Sequence, residues 1–372
     1  SCNDPCRRFR KWRFGMLSMV ILFATLGATC ARERVGIEAF GRGKAQFAAG
    51  DFVAAVSSFR EAAVEMQKAG DRKGLATTLY NLATTYHAAG QYRLAFEVLD
   101  QAALVGIDSG DKGLVGKIVA LRGTVATFSR KAEEAEESLV AGIEAATARG
   151  DRKLLASARH DYAVLLAGQG RIGEAAESFS RAEALAIDQG LVELGAKVAL
   201  NRAFMYLNAA ASYIEDEGGV SEEWDPRLDD VCQGHLKAAM SDRAVARARA
   251  DSLPESFSKP MVLLGVGDGY QAVGRTGTTF VTGFAEKGFT AYRAALQSAR
   301  RSDSPSAISY SLGRLGELYK EASRFDEALA LTRRARAEAE RAQSPDALFQ
   351  WEWQIGRILA AQGKNEAALG SY

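Results

Sequence analysis

The chain has 372 residues and an almost balanced charge, with 47 Lys and Arg against 46 Asp and Glu for a net charge of +1. Because no basic excess exists to neutralise phosphates, the composition argues against nucleic acid as a partner. Only six prolines and an abundance of alanine favour helices, and four cysteines, three of them within the first 30 residues, give no disulfide framework.

The first 31 residues have the pattern of a secretory signal. A basic block, Arg7–Arg13, precedes fifteen uncharged residues, Gly15–Thr29. That run is short for a membrane span of about 20 residues, but it is typical of the apolar part of a signal peptide. Removal of residues 1–31 would leave 42 basic and 45 acidic residues, which predicts an exported, slightly acidic protein of the bacterial periplasm. Lipidation at Cys30, a retained membrane anchor and a cytoplasmic location remain alternatives.

From residue 35 onward the chain reads as helix hairpins that repeat every 40 residues. In the clearest copy, two apolar faces at helical spacing flank a helix break; the residues are Leu79, Leu82, Ala83 and Tyr86, then Gly90, then Ala95, Leu99 and Ala102. Equivalent breaks lie at Gly50, Arg130 and Gly170. Because two helices this short cannot bury their apolar faces alone, the period predicts a stack of hairpins.

This order of small and large residues resembles the tetratricopeptide repeat family. That family has a small residue at the eighth position, Gly near the fifteenth and Ala at the twentieth, which Ala83, Gly90 and Ala95 match here. The resemblance implies an all-α fold, a right-handed α-solenoid of about eight hairpins. Each unit carries about six residues more than the common repeat of 34. We expect the extra length in an extended second helix.

The repeats divide the chain into segments. Repeats one to four and the first helix of repeat five occupy residues 35–210. Residues 211–288 form an irregular segment with insertions at Ile214–Asp230 and Arg275–Phe284, and residues 289–372 return to the repeat and end in a truncated eighth copy. The sequence alone leaves open whether the insertions are contact surfaces or tolerated additions.

The first insertion has the sequence signals of a helix start. Asp225 followed by Pro226 is typical of an N-cap and first helical residue, which predicts a helix that restarts there and runs towards Ala250. We therefore interpret this insertion as an excursion from the solenoid. In the next repeat, the period places the turn between the two helices at Gly274.

Three groups of residues that could carry chemistry lack the partners that their chemistry needs. Cys232 and His235 could share a metal ion, but no second ligand pair is recognisable. The glycine-rich run Gly265–Gly269 follows no strand, so we interpret its glycines as close-packing positions rather than a phosphate loop. His87 and His160 have no nucleophile or orienting carboxylate at a readable spacing. The sequence predicts no catalytic residues, no metal and no cofactor.

Stacked hairpins place the first helix of every repeat on an inner wall. The second, fifth, ninth, twelfth and thirteenth positions of each repeat are expected to face a ligand there. The predicted groove residues are Phe40, Lys44, Phe47, Tyr80, Thr84, His87, Lys117, Thr124, Phe128, His160, Val164, Lys197, Phe204 and Asn208. Aromatic, hydroxyl, amide and cationic groups together favour a protein or peptide ligand over a small metabolite. Membrane contact is expected only through the leader.

Some members of the family hold the C-terminal carboxylate of a partner with Lys and Asn from successive repeats. Asn81 and Lys117 match two of the five positions, whereas Phe40, Lys44 and Leu121 depart from the other three. The resemblance therefore implies a groove that is not specific for carboxylate termini. Asn81 could equally hydrogen-bond the neighbouring repeat.

The last repeat resembles the one that precedes the caspase-like CHAT domain in bacterial proteins. It carries ALFQWEWQIGR from Ala347 onward, and the sequence stops at Tyr372 inside a predicted second helix, so further chain is expected beyond it. The first hypothesis is a non-catalytic protein-binding scaffold, the sensor or interaction region of a larger protein. The alternative is the regulatory arm of a CHAT-type peptidase whose His and Cys lie beyond Tyr372. A third hypothesis is an assembly scaffold tethered to the cell envelope.

Overall fold

The computed structural model describes residues 34–216, 226–275 and 283–370. The predicted leader, the centre of the first insertion and most of the second insertion lie outside these ranges. Every helix or strand assigned within them is a helix. The predicted all-α fold of repeated hairpins is therefore confirmed.

Sixteen helices occupy the described ranges. The helices are α1 (34–49), α2 (Phe52–Ala69), α3 (Arg72–Ala88), α4 (Tyr92–Ser109), α5 (Lys112–Phe128), α6 (Ala132–Arg149), α7 (Arg152–Gly168), α8 (Ile172–Asp188), α9 (Val192–Asp216), α10 (Pro226–Ser252), α11 (Ser258–Arg275), α12 (Phe284–Arg301), α13 (Pro305–Glu321), α14 (Phe325–Arg341), α15 (Pro345–Ala361) and α16 (Asn365–Leu369). Odd-numbered helices are the first helices of the repeats, and even-numbered helices are the second.

The contacts between residues divide the chain into two compact units. Among the described residues, unit one contains residues 34–47 and Phe52–Ile118, and unit two contains Ala48–Asp51 and the described residues from Val119 onward. In unit one α3 packs on α4, and in unit two α7 packs on α8, α11 on α12 and α13 on α14. The segment boundaries near residues 210 and 288 stay predictions.

The 40-residue period is visible in the helix bounds. The second helices begin at Phe52, Tyr92, Ala132 and Ile172. These second helices have 17 or 18 residues, and the first helices α3, α5 and α7 have 17. The expectation of a longer second helix is therefore wrong, because both helices share the added length. Two paired helices must match in length if each is to cover the apolar face of the other.

The predicted breaks are equivalent turns. Gly50, Gly90 and Gly170 have φ of 79°, 72° and 74°, in the left-handed region that glycine enters without strain. Arg130 takes the same conformation, with φ of 58°, although this costs a residue with a Cβ roughly 1–2 kcal/mol. This turn position therefore requires a left-handed backbone conformation, and the fold imposes that conformation even on a residue other than glycine.

Repeat five keeps its hairpin but has longer helices. α9 has 25 residues and α10 has 27, and the two pack extensively on each other. The predicted helix start at Pro226 is confirmed. The described flanks of the first insertion continue the two helices, so in the described residues the insertion lengthens the hairpin instead of leaving the solenoid.

The glycines of α11 allow close helix packing. A Cβ at Gly265 would lie 2.5 Å from Leu200, and one at Gly267 would lie 2.4 Å from the ring of Tyr292. The interpretation of the Gly265–Gly269 run as close-packing positions is confirmed. The prediction that Gly274 forms a turn is wrong, because it is helical and faces the ring of Phe284, which a Cβ would meet at 2.2 Å.

Ion pairs connect three helices around repeat five. Arg202 on α9 contacts Glu183 on α8 at 2.8 Å and Asp242 on α10 at 2.6 Å, and Arg249 contacts Glu183 at 2.7 Å. Burial alone raises the pKa of the Glu183 carboxyl, but hydrogen bonds and charges from Arg249 and Arg202 outweigh it and lower that pKa. The network therefore supports the interface where the regular period ends.

Arg243 follows Asp242 in the sequence but forms no ion pair with the network among the described residues. Its side chain is fully buried, and none of its three guanidinium nitrogens has a hydrogen-bond partner among the residues that the structure describes. The guanidinium carbon lies 5.7 Å from the ring centroid of Phe204, and burial lowers the pKa of Arg243 to about 10. The Phe204 ring therefore offsets part of the cost of burying this cation, as do Tyr270 and Asp242, which act to raise its pKa.

Substitution by alanine should have opposite effects at two helical glycines, Gly267 on α11 and Gly234 on α10. Gly267→Ala should lower the free energy of unfolding by about 1–3 kcal/mol, because its methyl group overlaps the Tyr292 ring. Gly234→Ala on α10 should stabilise by up to about 1 kcal/mol, because that site is exposed and its Cβ would meet nothing within 4 Å. Thermal unfolding followed by circular dichroism measures both, and equal midpoints would contradict the packing described here.

Candidate functional site

A stripe of partly exposed residues follows each regular first helix. It consists of the second, sixth, ninth and thirteenth positions of the repeat, a spacing that keeps side chains on one face of a helix. In unit two the stripe residues of α7 and α9 are Ser157, Asp161, Val164, Gly168, Lys197, Asn201, Phe204 and Asn208. Leu121 and Phe128 continue the stripe on α5, whereas the predicted groove residue Thr124, at the ninth position of that helix, is buried. We call this surface the inner stripe.

The structure shifts one predicted groove position. The fifth position is buried in three successive repeats, at Ala120, His160 and Leu200, whereas the sixth is partly exposed. One residue on a helix turns the side chain by about 100°. His160 therefore packs between helices, with its ring 6.0 Å from that of Phe179, instead of lying open.

The predicted residues of unit one are placed on α1, α3 and α5. Lys44 and Lys117 are exposed, and Tyr80, Thr84 and His87 are partly exposed. Phe40 and Phe47 are half-buried against the second helix, with ring centroids 5.6 Å from those of Phe59 and Phe52 respectively. The aromatic residues of α1 therefore contribute to packing as well as to the surface.

In unit two, a chain of hydrogen bonds joins three successive first helices. The Thr124 hydroxyl on α5 donates to Asp161 Oδ2 on α7 at 2.6 Å. His160 Nδ1 lies 2.8 Å from Asp161 Oδ1, and Asn201 Nδ2 on α9 donates to His160 Nε2 at 2.9 Å. Because Nε2 accepts from the amide, these partners assign the ring proton to Nδ1, which donates to Asp161.

These hydrogen bonds correct the expectation about the surroundings of His160. His160 does have an orienting carboxylate, because its neighbour Asp161 binds the ring. Adjacent helical residues do not normally face each other, so the spacing of the two residues does not predict their contact. The ring is not arranged as a general base, since the Nε2 lone pair that would take a proton is occupied by Asn201.

The stripe becomes charged in repeats six and seven. Asp268 on α11 pairs with Arg314 on α13 at 2.9 Å and accepts a hydrogen bond from the Tyr292 hydroxyl at 2.7 Å. These residues line a cavity of about 150 Å³ together with Glu317 and Gln271, and the buried amide nitrogen of Gln271 has no hydrogen-bond partner within the described ranges. The sequence pattern does not predict this polar cavity, because the predicted groove positions belong to the regular repeats.

The remaining polar candidates, Cys232, His235 and Asn81, lie in packed or hydrogen-bonded positions. Cys232 is buried, and the ring of His235 stacks on Tyr206 at 5.5 Å between centroids. Within the described ranges, no group of three or more His, Cys, Asp or Glu side chains could hold a metal ion. The Asn81 amide donates to the Thr77 carbonyl on its own helix at 2.8 Å, whereas the equivalent Asn201 bonds across to the preceding repeat.

Comparison with known proteins supports the fold. No protein-family model matches the sequence, and neither does any curated protein. Among solved structures, the apo form of the quorum sensor NprR from B. thuringiensis has a TM-score of 0.53 and 11% identity, over 85% of this chain and 80% of that chain. The chain has the fold of a helical repeat similar to the tetratricopeptide type, as these hairpins and this similarity show.

A second solved structure is similar over part of its length. It is a signal transduction ATPase with numerous domains that has a tetratricopeptide repeat sensor, from Pyrococcus horikoshii. The TM-score is 0.48 and the identity 14%, over 86% of this chain and 43% of that chain. The present chain therefore spans less than half of that protein.

The hydrogen-bond chain predicts the tautomer of His160. In a long-range proton–nitrogen correlation spectrum of ¹⁵N-labelled protein, the neutral ring should carry its proton on Nδ1. Asn201→Ala should remove the donor to Nε2 and lower the free energy of unfolding by about 1 kcal/mol, while Asn208→Ala, an exposed amide seven residues further along α9, should leave the tautomer unchanged. Observation of a proton on Nε2 in the unsubstituted protein would refute the assignment.

Proposed function

We propose that this chain is a non-catalytic scaffold that binds a protein or an extended peptide along the inner stripe of unit two. The observation that carries the proposal is the recurrence of partly exposed side chains at the same positions of successive first helices. Hydroxyl, carboxylate and amide groups can bind the peptide backbone, and Phe128, Val164 and Phe204 offer apolar contacts between them.

The hydrogen-bond chain behind the stripe supports this proposal. Asp161 and Asn201 are stripe residues, and both are held by buried partners before any ligand arrives. Side chains fixed in advance lose less conformational entropy on binding, which improves affinity. The interior of unit two thus serves to orient the groups that we propose contact the ligand.

A sensor or interaction region of a larger bacterial protein is the form of this function that we favour. NprR, which shares the fold, is a quorum sensor. The analogy is one of fold, so the ligand must be argued from the stripe itself. Predicted groove residues in unit one, including Lys44, Tyr80 and His87, are proposed as a further contact surface of that unit.

The alternative function is the regulatory arm of a CHAT-type peptidase. It depends on the paired tryptophans of the last repeat, and Trp351 is fully buried with its Nε1 donating to Ser309 at 2.8 Å. Packing therefore accounts for Trp351, while Trp353 is 48% exposed beneath the guanidinium of Arg357. The gene sequence beyond Tyr372 decides, since this alternative requires a His and Cys pair there.

Export remains part of the proposal. The leader falls outside the described residues, and none of the helices within the described ranges combines the length and apolar character that a bilayer crossing requires. The proposed leader would direct the scaffold to the periplasm, or tether it to the envelope if retained or lipidated. Cell fractionation with an antibody against the chain separates a cleaved periplasmic form from a tethered or cytoplasmic one.

A displayed library of random peptides tests the binding function with the full chain as bait. A selected peptide should lose at least about tenfold in affinity, or about 1.4 kcal/mol, for the double variant Phe128→Ala Asn208→Ala, because both exposed side chains lie on the stripe. Affinity is measured by fluorescence anisotropy of the labelled peptide.

The matched control is Ile187→Ala on the second helix α8, where the side chain is 65% exposed. It should bind the selected peptide as the unsubstituted chain does. If no peptide is selected, or if every selected peptide binds the stripe variant with unchanged affinity, the proposed function is refuted.

A further inference from the structure

Two second helices of unit two carry opposite charges that form no ion pairs among the described residues. On α6, Glu133, Glu137 and Glu144 are exposed, and among the described residues none of them forms an ion pair. On α12, Arg293 and Arg300 are exposed and likewise lack a carboxylate partner among the described residues. Their charges are therefore not neutralised by ion pairs, although the guanidinium of Arg293 also lies 5.7 Å from the ring centroid of Phe289.

The positive charges of α12 border an open groove. It has a volume of about 640 Å³ and lies between α10 and α12; its lining includes Arg247, Arg293, Leu296, Gln297, Arg300 and Arg301. Asp251 forms an ion pair with Arg247 at 3.0 Å, and Glu255 forms one with Arg301 at 3.0 Å, so these two positive charges are neutralised. The groove keeps the surplus positive charge of Arg293 and Arg300. We call it the basic groove.

The negative charges of α6 form a matching ridge. Glu137, Val140 and Glu144 lie on one face, and Val140 is 37% exposed between the two carboxylates. These three residues place a charged, an aliphatic and a charged side chain at i, i+3 and i+7. The residues Arg293, Leu296 and Arg300 have the same spacing with the opposite charge. Seven residues correspond to about 10.5 Å along a helix, so both pairs of charges have the same separation. We call Glu137, Val140 and Glu144 the acidic ridge.

We propose that the basic groove binds the acidic ridge of a second copy of this chain. With the helices side by side in the same direction, Glu137 would meet Arg293, Val140 would meet Leu296 and Glu144 would meet Arg300. A second copy is favoured over an unrelated acidic peptide because the chain itself presents the complementary surface in the same register. Neither surface is used in the proposed peptide binding, which lies on the first helices.

The geometry also fixes the type of assembly. The ridge and the groove are different surfaces of unit two, and α6 packs on α7 while α12 packs on α11 and α13. A contact between two different surfaces is heterologous, so each copy keeps one free ridge and one free groove. Copies therefore add head to tail, and the assembly grows with concentration or closes into a ring.

Sedimentation velocity of the full chain over a range of concentrations tests the proposal. At low ionic strength the weight-average mass should rise with concentration. In about 1 M salt, where the Debye length is about 3 Å, the protein should return to the monomer mass. A monomer at every concentration would overturn the proposal.

Charge reversal makes the test specific. The groove variant Arg293→Glu Arg300→Glu and the ridge variant Glu137→Lys Glu144→Lys should each be monomeric. An equal mixture of the two should associate with a mass that grows with concentration, because the ridge of the groove variant matches the groove of the ridge variant and the two reversed surfaces also match each other. Association in the mixture also demonstrates that both variants are folded.

Two further variants complete the design. All four substitutions in one chain should restore association that grows with concentration, because the charges are exchanged. The control Arg333→Glu Arg334→Glu, which reverses two exposed charges on α14, should associate as the unsubstituted chain does. Association that persists in the groove variant would refute the contact, as would a monomeric chain whose groove binds a polyglutamate peptide or polyphosphate instead.

Discussion

The contact on which the fold depends is the close approach of the two helices in each hairpin, which is possible only where a side chain is small. The eighth position of the repeat is Gly or Ala in all eight copies, from Gly43 and Ala83 to Gly356. At Gly123 an added Cβ would lie 2.6 Å from Leu139, and at Gly316 it would lie 2.6 Å from Thr332. The second helix fills this space with its own large residue, so the two helices interlock. Interiors packed to this density tolerate little added volume.

This packing determines where the functional residues lie. Because the eighth position of a first helix faces the second helix, the sixth and ninth positions lie along a partly exposed edge of the first helix. This edge is the inner stripe. The fifth position then faces the neighbouring first helix, where His160 bonds Asp161 on its own helix and Asn201 on the next. The stripe is therefore supported by the same interfaces that stack the repeats.

Periodicity was sufficient to predict the fold, the turns and the small residues, because each repeat provides independent evidence for the same position. Arg130 is the clearest case, since the period placed a turn at a residue with no turn propensity of its own. The single-copy features were harder to predict. The Asp161–His160 contact depends on side-chain rotamers, the Asp268–Arg314 cavity lies outside the regular repeats, and Gly274 has the composition of a turn but the environment of a packing site.

The thermal unfolding midpoint of Ala163→Leu, compared with that of Ala148→Leu, tests the dependence on small residues most directly. Ala163 is fully buried at the eighth position of repeat four, in one cluster with Ala175 and Phe179, whereas Ala148 is exposed on α6. The added volume is the same in both variants. If the hairpins depend on close approach, the midpoint falls clearly for Ala163→Leu and hardly changes for Ala148→Leu. Equal midpoints would contradict the account.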